Sequence, residues 1–326
     1  MSVEIEEKLE KIPIVNWIVR LLKTIKLPGF EGLSIYDLSE MYIRGIVQGA
    51  VSTRASSIAF SLFMALFPLL IFMVTLVPFL VSYISIENAN FDQEFLSFLE
   101  SFLPTATGDY FGDVFQQIKD QKRGGLLSSS FLISIFLMAN GVNAIFGGFE
   151  NSYHVNLTRN FFRQYLYALM VGLILSILII VGFVVFVYFE VYVLGYLQDF
   201  AERTSGSIMD DEDVIGVQIA KFLFFIILSY LTTATLYYFG TAEGKQAKFF
   251  SVGALMTTIL FILTSYLFGV YVEKFARYNE LYGALGGLLI LMVYIWLNSN
   301  ILLLGFELNA SLNWLRKNYK QDEITE

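Results

Sequence analysis

The chain contains no cysteine and a single histidine, His154. Without cysteine there are no disulfides, zinc–thiolate or iron–sulfur sites, and no thiol nucleophile, and the redox compartment stays open. A metal-dependent nuclease activates hydroxide on clustered histidines and carboxylates. One histidine cannot supply the HxHxDH-type run that this requires. A phosphate-cradling G-x-x-x-x-G-K-[ST] run is missing too, so no nucleotide site of that kind is expected. Charged residues make up only 15 % of the chain, against about 25 % in ordinary soluble domains.

What is present is apolar: 56 % of the 326 residues are hydrophobic and 17 % are aromatic. Six hydrophobic stretches run near 57–84, 126–149, 165–194, 215–239, 249–272 and 283–309. About 20 apolar residues at about 1.5 Å rise cross a bilayer core of about 30 Å. The expected fold is therefore all-α: a polytopic membrane protein with six transmembrane helices plus interfacial amphipathic helices. Residues 1–53 form an N-terminal region, 54–312 the membrane domain, and 313–326 a short charged tail.

Six spans place both termini on one side. That side collects 14 of the 21 lysines and arginines, the other side 6, and Lys221 lies inside a span. The positive-inside rule then puts both termini in the cytoplasm. The opposite face carries the acidic run Asp210, Asp211, Glu212 and Asp213, which reads as a solvated loop because no calcium-loop glycine accompanies it. Glu4, Glu6, Glu7 and Glu10 precede any apolar run, so the N-terminus does not read as a cleavable signal. Ile14, Ile18, Leu21, Leu22 and Ile25 share one helical face, with Arg20, Lys23 and Lys26 around the other and Trp17 at headgroup level. A second short helix starts at Ser34, with Asp37 three residues on. On the outer side, within about 86–125, Phe91, Phe95, Phe98 and Phe102, then Tyr110, Phe111, Val114, Phe115 and Ile118, predict two further amphipathic helices.

Polar residues inside spans cost enough to need a reason. The first span starts at Arg54, carries Ser57 and Ser61, and contains Pro68 and Pro78, each of which frees a backbone carbonyl and kinks the helix. The second contains Asn140, Asn143 and Glu150; the sixth contains Asn298, Asn300 and Glu307. By helix rise the four asparagines lie between the bilayer middle and the inner leaflet. They act either as interhelical glue or as the lining of a cytoplasm-facing polar cavity shared with Arg54, Ser57, Ser61, Glu150 and Glu307. Arg54 and Glu307 fall near one level, and an ion pair is expected, since a lone buried charge would be far more costly. Gly283, Gly286 and Gly287 open the sixth span with the small-residue spacing that lets helices approach closely, within the chain or in a homodimer. Glu150 and His154 are four apart and would pair only if the helix continued.

Several of these segments carry a resemblance. Arg54-Ala-Ser-Ser-Ile-Ala-Phe-Ser, then Ala65-Leu-Phe-Pro68, Asn143 through Glu150, and Tyr282-Gly-Ala-Leu-Gly-Gly running to Leu304-Gly-Phe-Glu-Leu-Asn-Ala310 resemble the YihY/BrkB family. The likeness covers most of 40–312. It implies a bacterial inner-membrane protein with about six spans, linked to envelope integrity, serum resistance and lipid or lipopolysaccharide handling. The family also circulates under a tRNA-processing ribonuclease name. The residues here speak against that activity: the aqueous loops are short and no basic patch is interleaved with aromatics. Two readings remain. One is a carrier that translocates a lipid or other amphiphile through the polar cavity. The other is a non-transporting scaffold or regulator of envelope biogenesis. Neither requires enzymatic chemistry, a cofactor, a metal or nucleic acid, and both expect membrane lipids, envelope-assembly proteins or a second copy as partners.

Overall fold

The computed structural model describes residues 34–48, 50–66, 126–152, 155, 159–189, 215–241, 248–275 and 285–325, together with residues 23, 24 and 97. Pro68, Pro78, Gly283, His154, the acidic run 210–213, most of the N-terminal amphipathic segment and nearly all of the outer-side loop lie outside the described residues. Among the described residues seven helices can be traced: α1 Ile35–Gln48, α2 Val51–Leu66, α3 Leu126–Glu150, α4 Phe161–Tyr188, α5 Ile215–Gly240, α6 Val252–Phe275 and α7 Leu285–Thr325. Five of them, α3 to α7, are long and apolar enough to cross a membrane. The first expected span overlaps α2, a shorter apolar helix; residues 67–84 of that stretch lie outside the described residues.

The span helices form because uninterrupted Leu, Ile, Phe and Val leave backbone groups no partner in lipid except their own helix. α4 shows how the sequence assigns its faces. Leu166, Met170, Leu173, Ile174, Ile177, Val181 and Val185 are exposed and form a lipid-facing stripe, whereas Ala168, Gly172, Ser176 and Gly182 are buried. Val171, Phe183, Phe186 and Val187 are buried beside these small residues; the small ones let neighbouring helices approach closely, as lipid-bathed helices require. Opposite Gly172, Met138 of α3 fills the space, and Leu228 of α5 fills that opposite Gly182.

The chain folds as a run of antiparallel neighbours: α3 packs on α4, α4 on α5, α5 on α6, and α6 on α7. α7 returns to touch α3 and also packs on the amphipathic α1. At 41 residues, α7 is about 60 Å long, twice the bilayer core. Its helix runs to Thr325, well beyond the predicted end at 309, because the polar residues after 310 change the helix's solvent without breaking it. α6 begins at Val252, later than predicted, where Ser251 Oγ accepts from Ala254 N–H as an N-cap.

The largest buried cluster gathers Ala55 and Ile58 of α2, Val142, Phe146 and Phe149 of α3, Val171 of α4, Tyr237 of α5, Ala254 of α6 and Leu303 and Phe306 of α7. It lies toward the end of the bundle that carries Arg54, called here the arginine end. A separate cluster of Phe268, Val272, Ile290 and Tyr294 joins α6 to α7 alone, at the far end.

Candidate functional site

Three polar assemblies sit together at the arginine end. The first is centred on α2. Arg54 Nη2 donates to Glu307 Oε1 of α7 at 2.5 Å, and Nη1 donates to the Gly148 carbonyl of α3 at 2.6 Å. Ser152 Oγ donates to the other Glu307 oxygen at 2.8 Å. Glu307 is fully buried at 0 % exposure and Arg54 is 9 % exposed. One guanidinium thus neutralises a carboxylate and satisfies a carbonyl near the C-terminus of α3, where carbonyls lack intrahelical partners. Such a pair is a weak source of net stability but is costly to break, because the remaining charge stays buried. Tyr42 of α1 stays a neutral phenol nearby: burial, and then the Glu307 charge, push its pKa up to about 12.

The second assembly closes the α3–α4 and α5 ends. Arg159 donates to the Gly240 carbonyl at 3.0 Å and the Thr241 carbonyl at 2.6 Å, and its guanidinium stacks on Tyr167 at 4.4 Å. Its backbone N–H donates to Glu150 Oε1 at 3.3 Å. Burial lowers the Arg159 pKa, and the Glu150 charge opposes that shift. With the Gln164 amide oriented to satisfy both of its ends, its nitrogen donates to Glu150 Oε2 at 3.3 Å and its oxygen accepts from Gly147 N–H at 3.2 Å. α3 ends at Glu150 and residues 151 and 152 leave the helix; His154 lies outside the described residues.

The third assembly binds α5, α6 and α7. The Tyr237 hydroxyl lies 2.6 Å from both Thr257 Oγ1 and the Leu302 carbonyl. Asn309 Oδ1 accepts from Gly253 N–H and its Nδ2 donates to Ser251 Oγ, both at 2.8 Å, so α7 caps the start of α6. The backbones approach closely: a Cβ on Gly305 would meet Thr257 Oγ1 at 1.8 Å and the Gly253 carbonyl oxygen at 2.8 Å. Above these bonds Phe149 stacks on Phe306 at 4.2 Å, and Tyr237 meets both rings edge-on. A cavity of about 30 Å³ opens beside this assembly, bounded by Thr241, Lys248, Ser251, Asn309 and Asn313. It is sized for water.

Of the candidate cavity residues, Arg54 and Glu307 meet, and Glu150 lies in the neighbouring assembly. Asn298 and Asn300 donate to carbonyls of their own helix, those of Tyr294 and Trp296. Asn140 and Ser57 are exposed, while Asn143 and Ser61 are partly buried. Among the described residues, no hydrogen bond joins the asparagines of α3 to those of α7. Gly286 and Gly287 are buried at the start of α7. Sequence reasoning missed Ser152, Arg159, Gln164, Tyr237, Gly253, Thr257, Gly305 and Asn309 as site residues. A tyrosine within an apolar span was the available signal, since a buried hydroxyl must find a partner.

These features define a polytopic helical membrane protein with a dense polar and ionic seal at one end of its bundle. The chain belongs to the family described as "Virulence factor BrkB", whose model matches residues 42–325. It is similar to the ribonuclease-like protein YfkH of Bacillus subtilis (strain 168), with 26 % identity over 280 residues, covering 86 % of this chain and 96 % of YfkH. It is also similar to a UPF0761 membrane protein of Coxiella burnetii (strain Dugway 5J108-111), with 24 % identity over 282 residues, 83 % of this chain and 91 % of that one. A shorter match, 35 % identical over 111 residues and 33 % of this chain, is to a UPF0761 membrane protein of Vibrio cholerae. No solved structure matches.

Proposed function

We propose that this protein moves a lipid or similar amphiphile across the bacterial inner membrane, with both termini in the cytoplasm and the arginine end as its closed cytoplasmic gate. The observation that carries this reading is the buried Arg54–Glu307 pair joining α2 to α7 and leaning on α3. A charge pair at this depth in a lipid-bathed bundle is expensive. Simple packing would be served as well by apolar side chains; a gate that must open gains from an interaction that water can replace. Among the described residues of the far half, ring contacts join α4 to α5 and α6 to α7, and parting between those pairs would supply the opening that an amphiphile needs.

A second reading, a non-transporting scaffold or regulator of envelope assembly, is favoured by the water-sized cavity and by the own-helix bonding of Asn298 and Asn300. The nuclease activity that YfkH's name suggests gains no support: among the described residues no three His, Cys, Asp or Glu side chains cluster to hold a metal ion. The test is reconstitution into liposomes of phosphatidylethanolamine and phosphatidylglycerol containing fluorescent analogues of each lipid. Transport predicts that a quencher reaches inner-leaflet probe faster than in protein-free vesicles. Equal rates for both lipids, with and without an imposed gradient, would leave the scaffold reading standing.

A further inference from the structure

The two buried carboxylates at the arginine end have unlike surroundings. Glu307 has a guanidinium on one oxygen and a hydroxyl on the other. Glu150 is 9 % exposed and forms no ion pair among the described residues. Its two oxygens receive only neutral donors, the Arg159 backbone N–H and the Gln164 amide, each at the long distance of 3.3 Å. It also occupies the last position of α3, where the helix dipole disfavours negative charge. Arg159, the nearest cation, directs its guanidinium to the carbonyls of Gly240 and Thr241 instead. Paired titratable groups in contrasting environments are how proteins divide charged and proton-exchanging roles.

We propose that Glu150 is a proton-binding site, and that proton uptake there is coupled to the gate formed by Arg54. The step balances simply: a proton from water at the arginine end adds to one Glu150 oxygen, giving a neutral carboxylic acid, and returns to water when the acid ionises. The coupling is local. Gly148, whose carbonyl holds Arg54, lies two residues before Glu150, and Asn151 and Ser152, which bond Gly147 and Glu307, follow it. The charged and titratable groups around Glu150 are Arg159 from the α3–α4 link, Tyr167 and exposed Arg163 from α4, Arg54 from α2, and Glu307 from α7 with Tyr42 of α1 beside it. From α5, the Gly240 and Thr241 carbonyls occupy the Arg159 guanidinium. Arg159 therefore acts on Glu150 through its charge and its backbone N–H, and among the described residues only Glu307 of the two carboxylates has a guanidinium in contact.

The coupling half of this proposal rests on the translocation reading; the proton site does not. Infrared spectroscopy of the full chain in liposomes reads the carbonyl band of protonated carboxyls while pH is raised through neutrality, where exposed carboxyls are already ionised. A band that titrates there, is lost in E150Q and survives in E307Q is the expected result. Its absence from the wild type, or its persistence in E150Q, overturns the site. Should E150Q fail to fold, E150D must shift the band's midpoint, and an unmoved midpoint overturns it equally. Flux of the fluorescent phosphatidylglycerol under an imposed proton gradient tests coupling. Gradient-sensitive flux that becomes insensitive in E150Q supports it. Flux indifferent to the gradient overturns coupling alone, while a titrating band with no flux overturns translocation and keeps the site.

Discussion

The two ends of the bundle are held by different chemistry. At the arginine end, ionic, hydroxyl, amide and aromatic contacts tie α2, α3, α5, α6 and α7 into one unit. At the far end, the ring contacts among the described residues join helices two at a time. Phe186 of α4 meets Phe224 and Phe225 of α5, while Phe268 of α6 meets Tyr294 of α7. The ring stacking between α5 and α6, such as Tyr230 on Phe250 at 6.0 Å, falls near the arginine end. In lipid, apolar surface gains nothing by leaving its surroundings, so helices adhere through polar bonds and close backbone packing. Where those are dense the bundle is fixed, and where they are sparse it can part.

The largest expected effect comes from breaking the ion pair on one side. Arg54→Ala strands Glu307, and a cost of about 3–5 kcal/mol is typical for a buried pair broken in this way. Arg54→Met combined with Glu307→Leu should recover much of that loss, because neither charge is then stranded. Thermal melting in detergent of the wild type, Arg54→Ala and the double variant measures this; a double variant no better than Arg54→Ala would mean that packing, not charge, dominates here. Gly305→Ala is next, at about 3 kcal/mol, near the upper range for overpacking. Its Cβ would press on Thr257, on Tyr237 and on the backbone of Gly253. Gly269 on the far half of α6 has nothing within 4 Å of such a Cβ, so Gly269→Ala should leave the melting temperature unchanged or raised. If both alanines cost the same, the contrast between the ends fails.

A smaller pair of changes compares like with like. Tyr237→Phe removes a hydroxyl that serves both Thr257 and the Leu302 carbonyl, and leaves that buried carbonyl short of a donor. About 2 kcal/mol is expected. Tyr294→Phe removes a hydroxyl that serves Ser265 at 2.6 Å and also Asn298, but strands no backbone carbonyl, and should cost about 1 kcal/mol. Melting curves that ranked them the other way would place the stronger seal at the far end.

Much of the architecture was legible because length and hydropathy alone decide whether a helix can span a bilayer. The Arg54–Glu307 contact was legible for a related reason: two charges at one depth inside lipid have few alternatives to each other. The asparagines were harder. An asparagine in a span can bond across to a neighbour or back to its own helix, and hydropathy does not say which way it turns. Asn298 and Asn300 turned back, and Asn140 faces outward. Arg159 read only as a loop charge that sets topology, since nothing local shows that its guanidinium reaches the end of α5, more than 80 residues away in sequence. The Gly253–Gly305 approach was hidden too, because it depends on the rotation of two helices about their own axes. The opening glycines of the sixth span offered a more familiar spacing. What sequence conveyed was depth; what it withheld was azimuth.

The smallest effect expected is a gain. Ala50 is the only non-glycine residue with positive φ among those described, at +47°, in the turn between α1 and α2. Its carbonyl accepts from Thr53 and Arg54 N–H at 3.1 and 3.2 Å, so this strained residue starts the helix that carries Arg54. An L-residue in the left-handed region costs about 1–2 kcal/mol. Glycine removes that strain but adds freedom to the unfolded chain, worth about 0.4–1 kcal/mol. Ala50→Gly should therefore raise stability by about 0–1.6 kcal/mol, a small upward shift in melting temperature. Because the strain sits between the surface helix α1 and the latch on α2, the same variant should leave the Arg54→Ala penalty unchanged if the turn merely aims α2. A penalty that shrinks in the glycine background would mean instead that the ion pair is what holds Ala50 in its strained conformation, and that opening the arginine end would release it.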